Sequence, residues 1–121
     1  MSDPACLEAA VRRHHALLQR WLADGDREAL VEFCAAHHED FVLVTVSGDL
    51  VPGAVLAEGL GGAGGSSPDL IIEIGQVCAV SPTVVHFLET HRQGASASSV
   101  RRVTAVIESG AWLLVQETAV P

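Results

Sequence analysis

The order in which two hydrophobic periodicities follow each other is the feature that most restricts the fold of this chain. Apolar residues recur at three- and four-residue spacing through residues 4–23, and again from Asp26 to about Ala36, which is the period of amphipathic helices. After residue 70 only strand patterns follow, separated by short turns. Helices followed by a run of strands indicate an α+β fold, whereas regular alternation would favour a parallel α/β sheet.

Start signals and apolar runs place the individual elements. Asp3 can cap the first helix and Pro4 suits its first position. Residues 41–46 predict a buried strand, and residues 52–60 predict a third, short helix. The remaining strands are expected at residues 70–80, 83–91, 100–107 and 111–120. The long first helix then covers one face of a curved, mostly antiparallel sheet, in a single domain spanning residues 1–121.

Charge and hydropathy exclude several classes of protein. The 121 residues carry a net charge of −8, and all seven cationic residues are arginine. Such a chain is repelled by nucleic acids and by anionic membranes, so neither is expected as a partner. No apolar run reaches the roughly 18 residues of a membrane span, and no signal peptide pattern is present. The three cysteines lack metal or disulfide spacing, so we expect reduced thiols that fill core positions in a cytoplasmic protein.

Four local strings, taken in order, resemble the nuclear-transport-factor-2-like, or cystatin-like, superfamily. They are RWLADGD at 20–26, HEDFVLVT at 38–45, RRVTAV at 101–106 and WLLVQET at 112–118. The resemblance covers about residues 5–120 and points to an uncharacterised SnoaL-like or ketosteroid-isomerase-like member. It implies a cone-shaped half-barrel, with a pocket at the wide end and a homodimer formed through the outer sheet face.

The catalytic residues of ketosteroid isomerase, the best-defined catalytic relative, do not carry over. That reaction needs a carboxylate base near the end of the first strand, with a Tyr and a protonated Asp as oxyanion hole. The base position falls near Thr45, the chain contains no Tyr, and no Asp follows Asp69. An isomerase of that type is therefore not expected, and the sequence favours a protein that is not an enzyme.

Histidine and glutamate are the candidates for pocket chemistry. His14 lies on the apolar stripe of the first helix, before Trp21, and would face the hollow of the cone. Alternation places Glu89 and His91 on one face of their strand. A pair of His14 with Glu89 or Glu117 would suit a dehydratase or cyclase, because imidazole serves as base and then as acid near neutral pH. A hydrogen-bonded histidine at the core edge is the alternative.

An arginine completes the predicted site. A tight turn at Ser109 and Gly110 predicts a register in which Arg102 lies opposite Glu117. Arg102 would then either bind a carboxylate-bearing ligand or form a cross-strand ion pair. The predicted ligand-binding residues are His14, Leu18, Trp21, Thr45, Glu89, Arg102 and Glu117.

No metal or cofactor is expected. Neighbouring helical residues point about 100° apart, so neither His14 with His15 nor His37 with His38 should chelate one ion. Residues 59–64 match G-x-G-x-x-G, but they follow a helix and precede a strand, the reverse of a dinucleotide site. This glycine-rich segment is predicted to be a mobile flap over the mouth of the cone.

Three functions remain open. The leading hypothesis is a homodimer that binds a small carboxylate- or carbonyl-bearing molecule. The second is a lyase, dehydratase or cyclase with His14 as base, and the third is a dimeric association module whose pocket is filled by side chains.

Overall fold

The computed structural model describes residues 3–95 and 99–121, and it confirms the α+β architecture. The described elements are α1 (Pro4–Asp24), α2 (Arg27–Ala35), β1 (His37–Val44), β2 (Leu50–Pro52), α3 (Gly53–Gly61), β3 (Leu70–Ala79), β4 (Val84–Gln93), β5 (Ser99–Glu108) and β6 (Ala111–Val120). The strands form one open, curved sheet in the order β2-β1-β6-β5-β4-β3. Only the β1–β6 pair is parallel within the described residues, and the other pairs are antiparallel.

The helix boundaries follow the capping signals of the sequence. The Asp3 carboxylate accepts a hydrogen bond of 2.9 Å from the backbone N–H of Cys6, which satisfies one free donor of the first turn. Gly25 ends α1 in the left-handed conformation, with φ of 68°. Asp26 then caps α2 through a 3.3 Å bond from the N–H of Ala29.

The core lies between α1 and the concave face of the sheet. Leu7 and Val11 of α1 are fully buried there, as the helical period predicts. Alternation along β4 and β5 points every second side chain toward the helix. The buried cluster comprises Leu7, Val11, Phe41, Val85, Phe87, Val103, Ala105, Ile107 and Trp112.

Side chains of α1 also occupy the outer edge of β3, which is a terminal strand of the sheet. The Gln19 side-chain oxygen accepts a 2.7 Å hydrogen bond from the Ile72 N–H. Arg12 donates a 3.0 Å bond to the Ile74 carbonyl. Backbone groups that would otherwise face solvent are therefore partnered by the helix.

Hydrogen bonds join the glycine-rich segment to the end of α1, and its predicted mobility as a flap stays a prediction. The Trp21 indole N–H donates to the Leu60 carbonyl at 2.7 Å. The N–H of Gly65 donates to the Trp21 carbonyl at 3.0 Å, and that of Ser67 donates to the Leu22 carbonyl at 2.9 Å. Because Gly64 has no side chain, its backbone lies directly against the indole ring of Trp21.

Other expectations from the sequence need smaller corrections. β1 begins at His37, four residues before the predicted strand, because it extends along β6 from Trp112. The short strand β2 was not predicted. Cys6 and Cys78 are exposed and do not fill the core, since both point away from the helix–sheet interface. Within the described residues, no helix combines the length and the apolar character needed to cross a membrane.

A substitution at Gly64 tests how closely the glycine-rich segment packs against Trp21. A Cβ atom at Gly64 would overlap the Trp21 ring, whereas a Cβ at Gly62 would meet nothing within 4 Å. We expect Gly64→Ala to lower the free energy of unfolding by about 1–3 kcal/mol, the usual cost of overpacking. Urea denaturation of both variants measures this, with Gly62→Ala as the matched control. Equal stability of the two variants would contradict the packing described here.

Candidate functional site

A cavity of about 90 Å³ opens between the three helices and the concave face of the sheet. Its walls are mainly apolar and come from every layer of the fold. The apolar lining residues are Leu18, Phe33, Phe41, Leu43, Leu56, Leu60, Trp112 and Val115. The polar lining residues are His14, His15, His37, Glu89 and Glu117. The site is thus a small hydrophobic hollow that contains imidazoles and carboxyl groups.

The buried His15 and Glu89 and the half-buried His91 form a hydrogen-bonded row on the β4 side of the cavity. The Nε2 atom of His15 lies 2.9 Å from Oε1 of Glu89, and the Nε2 atom of His91 lies 2.5 Å from Oε2. The Nδ1 atom of His15 lies 2.8 Å from the Val11 carbonyl. Because a carbonyl oxygen only accepts, Nδ1 carries a proton and the orientation of the His15 ring is fixed.

This row holds an ion pair inside the protein. Burial disfavours the charged form of His15, but the hydrogen bond and negative charge of Glu89 outweigh it and raise the pKa of the imidazole. Burial likewise acts to raise the pKa of Glu89, but hydrogen bonds from His15 and His91 hold it below its ordinary value. The two shifts favour the imidazolium form of His15 and the carboxylate form of Glu89.

A second pair of histidines lies on the α2 and β1 side of the cavity. The Nε2 atoms of His14 and His37 are 3.0 Å apart. The His14 ring is stacked between Phe33 and Trp112, with centroid distances of 4.0 and 4.2 Å. Burial lowers the pKa of His37 to about 4, and burial together with the neighbouring His15 and His37 imidazoles lowers the pKa of His14. Both rings of this pair are neutral at pH 7.

Glu117 is the third polar feature of the cavity. Burial raises the pKa of its carboxyl group, and the opposing effect of the Arg101 charge does not cancel this. Arg101 Nη1 lies 3.4 Å from Oε2 of Glu117, a long contact. Among the described residues, hydrogen bonds to this carboxyl group come only from Arg101, so its other oxygen is available to a ligand.

The structure brings four of the seven predicted site residues together around the cavity. His14, Leu18, Glu89 and Glu117 line it. The predicted contact of His14 with a carboxylate is not observed, because His15 is the residue that pairs with Glu89. Their roles toward a ligand remain predictions.

Trp21 and Thr45 lie elsewhere. The Trp21 ring is buried under the glycine-rich segment, where its N–H is used by the Leu60 carbonyl. The Thr45 hydroxyl accepts a 3.1 Å bond from the N–H of Asp49 and stabilises the turn after β1. Neither residue lines the cavity.

Arg102 is on the opposite face of the sheet, so the predicted pairing with Glu117 is wrong. The turn pairs Glu108 with Ala111 as expected, but a bulge follows between Ile107 and Val106. There Leu113 has no partner on β5, and the register shifts by one residue. Arg102 consequently lies opposite Thr118 and is exposed on the convex face, 3.3 Å from the Gln76 side-chain oxygen.

Sequence reasoning missed three polar residues at the site, as well as most of its apolar lining. His15 continues the i, i+4 row of Leu7 and Val11, a signal that was available. His37 was missed because β1 was predicted to start too late. Arg101 contacts Glu117 only because of the bulge, which no local sequence pattern predicts.

Comparisons with known proteins come from structure rather than sequence. The sequence matches no protein-family model and no curated protein. An NTF-2 like protein of unknown function from Pseudomonas aeruginosa is 27% identical, with a TM-score of 0.86 over 95% of this chain and 98% of that one. An uncharacterised cystatin fold protein from Novosphingobium aromaticivorans is 17% identical, with a TM-score of 0.68 over 97% of both chains.

A catalytic relative shares the same fold. An LEH-like epoxide hydrolase from M. tuberculosis is 18% identical, with a TM-score of 0.63 over 92% of this chain and 82% of that one. Likeness along nearly the whole chain, added to the helix order and the curved mixed sheet, places this protein in the nuclear-transport-factor-2-like superfamily.

Proposed function

We propose that this protein binds a compact, uncharged molecule that carries a carbonyl or hydroxyl group. The neutral His14–His37 pair in an apolar-walled cavity is the observation that carries the proposal. A neutral imidazole donates or accepts a hydrogen bond without requiring a counter-charge on the ligand, which would here replace the bond between the two Nε2 atoms. The volume of about 90 Å³ is below the roughly 300 Å³ of common drug-sized pockets, so the ligand is small.

The charges around the cavity argue against a carboxylate-bearing ligand. The two cationic groups near it are engaged: His15 is paired with Glu89, and Arg101 contacts Glu117. Arg102, which motivated that part of the sequence hypothesis, lies on the other face of the sheet. An anionic ligand would therefore enter next to two carboxyl groups without a free cation among the described lining residues.

The association-module hypothesis has less support. It requires side chains such as Trp21, Phe41 and Phe87 to fill the cone, and of these only Phe41 lines the cavity. Phe87 is fully buried beneath the site and Trp21 is covered by the glycine-rich segment, so neither occupies the cavity.

Matched probes test the proposed ligand class. We expect cyclopentanone and cyclopentanol to shift the imidazole resonances of His14 and His37 in NMR titrations, and cyclopentanecarboxylate to leave them unchanged. Val115→Phe narrows the cavity and should abolish these shifts, whereas Leu50→Phe, at a position 71% exposed, should not. Binding of the carboxylate as strongly as the ketone would refute the proposal.

Catalysis by Glu117 is a second candidate function, favoured by one specific observation. Glu117 lines the cavity with a raised pKa and one oxygen without a hydrogen bond among the described residues. A carboxyl group of this kind can move a proton to or from a bound carbon acid. His14 is less suited to be the base, because its Nε2 atom is engaged by His37.

Deuterium exchange measures this activity directly. In D₂O the protein should accelerate exchange of the α-protons of cyclopentanone, followed by NMR. Glu117→Gln should reduce the acceleration by about 10²–10⁴-fold, the usual contribution of general acid–base catalysis. Glu108→Gln, at an exposed position beside the hairpin turn, is the control. The rate should rise with pH through the raised pKa of Glu117, since the carboxylate is the active form. Exchange that is equally fast in both variants would exclude Glu117 as the base.

We also propose that the convex sheet face contacts a second copy of the chain. Alternation exposes on this face an apolar set comprising Val42, Val44, Val84, Leu88, Val106 and Leu114, which the protomer leaves only half-buried. Such a patch is typical of a protein–protein interface.

Light scattering tests the dimer. The wild type should have twice the protomer mass, and Val106→Glu should halve it because a charge enters the apolar face. Val31→Glu, at a position 63% exposed on α2, should not change the mass. A wild-type monomer would rule out the interface.

A further inference from the structure

We propose that α3 opens by local unfolding while the rest of the protein stays folded, and that the indole N–H of Trp21 holds it closed. Opening of α3 lets the site take uncharged ketones and alcohols larger than its resting volume of about 90 Å³. The inference rests on the function proposed above and adds the range of ligand sizes. Trp21 is then a positioning residue that controls this range, although it does not line the cavity.

The inner face of α3 forms part of the cavity wall. Leu56 and Leu60 lie one turn apart on this face, and both line the cavity. On the outer face Val55 is 55% exposed, and Ala54 and Glu58 are exposed as well. The helix therefore separates the cavity from solvent as a single layer, and its unfolding enlarges the site.

Few interactions hold α3 in its helical form. None of its nine residues is buried, whereas α1 and α2 both contain buried residues. No side chain caps its first turn, and Gly62 at its end does not adopt the left-handed conformation of a regular cap. Gly59 lowers the helix propensity further. Because a helix of this length is marginal by itself in water, α3 can unfold at a lower cost than the core.

The neighbouring contacts confine such an unfolding to a short segment. Before α3, Pro52 is paired with Val42 of β1. After α3, the N–H groups of Gly65 and Ser67 donate to carbonyl groups of α1. Both anchors lie outside the helix, so residues 53–63 can open between them without disturbing the sheet or α1.

One hydrogen bond connects α3 to another element, apart from the bonds within helices and strands of the described residues. The Nε1–H of Trp21 donates to the Leu60 carbonyl at 2.7 Å. Trp21 is only 3% exposed, so packing holds this donor in place. The Leu60 carbonyl also accepts a 2.9 Å bond from the N–H of Ala63, and loss of the indole donor does not leave it unpartnered. The bond from Trp21 therefore favours the closed state without being required for the fold.

Amide hydrogen exchange of the ligand-free protein tests the opening. In the wild type, the amides of residues 57–61 should be less protected than those on the buried face of α1, because α3 opens without global unfolding. Trp21→Phe removes the donor and should raise the exchange rate of the α3 amides by about 2- to 10-fold, the range that corresponds to one net hydrogen bond. The amides of α2 are the reference in the same sample and should change less. Exchange of the α3 amides only at the rate of global unfolding would overturn the proposal.

Ketones of two sizes test the consequence for binding, by NMR titration. Cyclopentanone is the compact probe and cyclooctanone is the large one. Ala57→Gly lowers the helix propensity of α3 and keeps both Trp21 and the residues that line the cavity. Because the open fraction limits the apparent affinity for a ligand that requires opening, this variant should bind cyclooctanone about 5-fold more tightly, with the affinity for cyclopentanone unchanged. Ala9→Gly makes the same substitution at an exposed position of α1 and should change neither affinity.

The outcomes separate this inference from the ligand class proposed above. If cyclopentanone does not bind while α3 exchanges locally, the proposed ligand class is wrong and the opening of α3 stands. If cyclopentanone binds but cyclooctanone does not, or if cyclooctanone binds Ala57→Gly and Ala9→Gly equally well, α3 does not control ligand size and the inference is overturned.

Discussion

The ion pair between His15 and Glu89 determines how the helix is seated on the sheet. Both groups are nearly fully buried, and a charge in that position is costly unless an opposite charge and hydrogen bonds accompany it. The contact therefore fixes the rotation of α1 about its axis, together with the apolar packing of Leu7 and Val11. Because successive helical residues are turned by about 100°, fixing His15 toward β4 directs His14 toward α2 and β1. The two histidine environments of the cavity follow from one helix orientation.

The two environments favour different protonation states in histidines that lie a few ångströms apart. On one side a carboxylate stabilises imidazolium, and on the other aromatic rings and burial keep two imidazoles uncharged. Fold alone does not give this arrangement, since one fold can carry many different sites. The ketosteroid isomerase set is absent here, and the polar groups of this chain are histidines from α1 and β1 with glutamates from β4 and β6.

Most of the fold was predictable because local signals specified it. Asp3, Gly25 and Asp26 mark helix ends through backbone geometry that depends only on near neighbours. The placement of Glu89 and His91 on one strand face followed from simple alternation. The site was less predictable because its geometry depends on pairing between distant segments. The bulge at Leu113 placed Arg102 on the face opposite to that of Glu117, and the early start of β1 brought in His37.

Occupation of the β3 edge by Gln19 and Arg12 has a consequence for how copies of this chain can assemble. An incoming strand needs free N–H and C=O groups in register, and those of Ile72 and Ile74 are already used. Growth of the sheet from molecule to molecule is therefore blocked on that side. A strand added at β3 must first displace these two side chains, so this edge does not favour open-ended fibres.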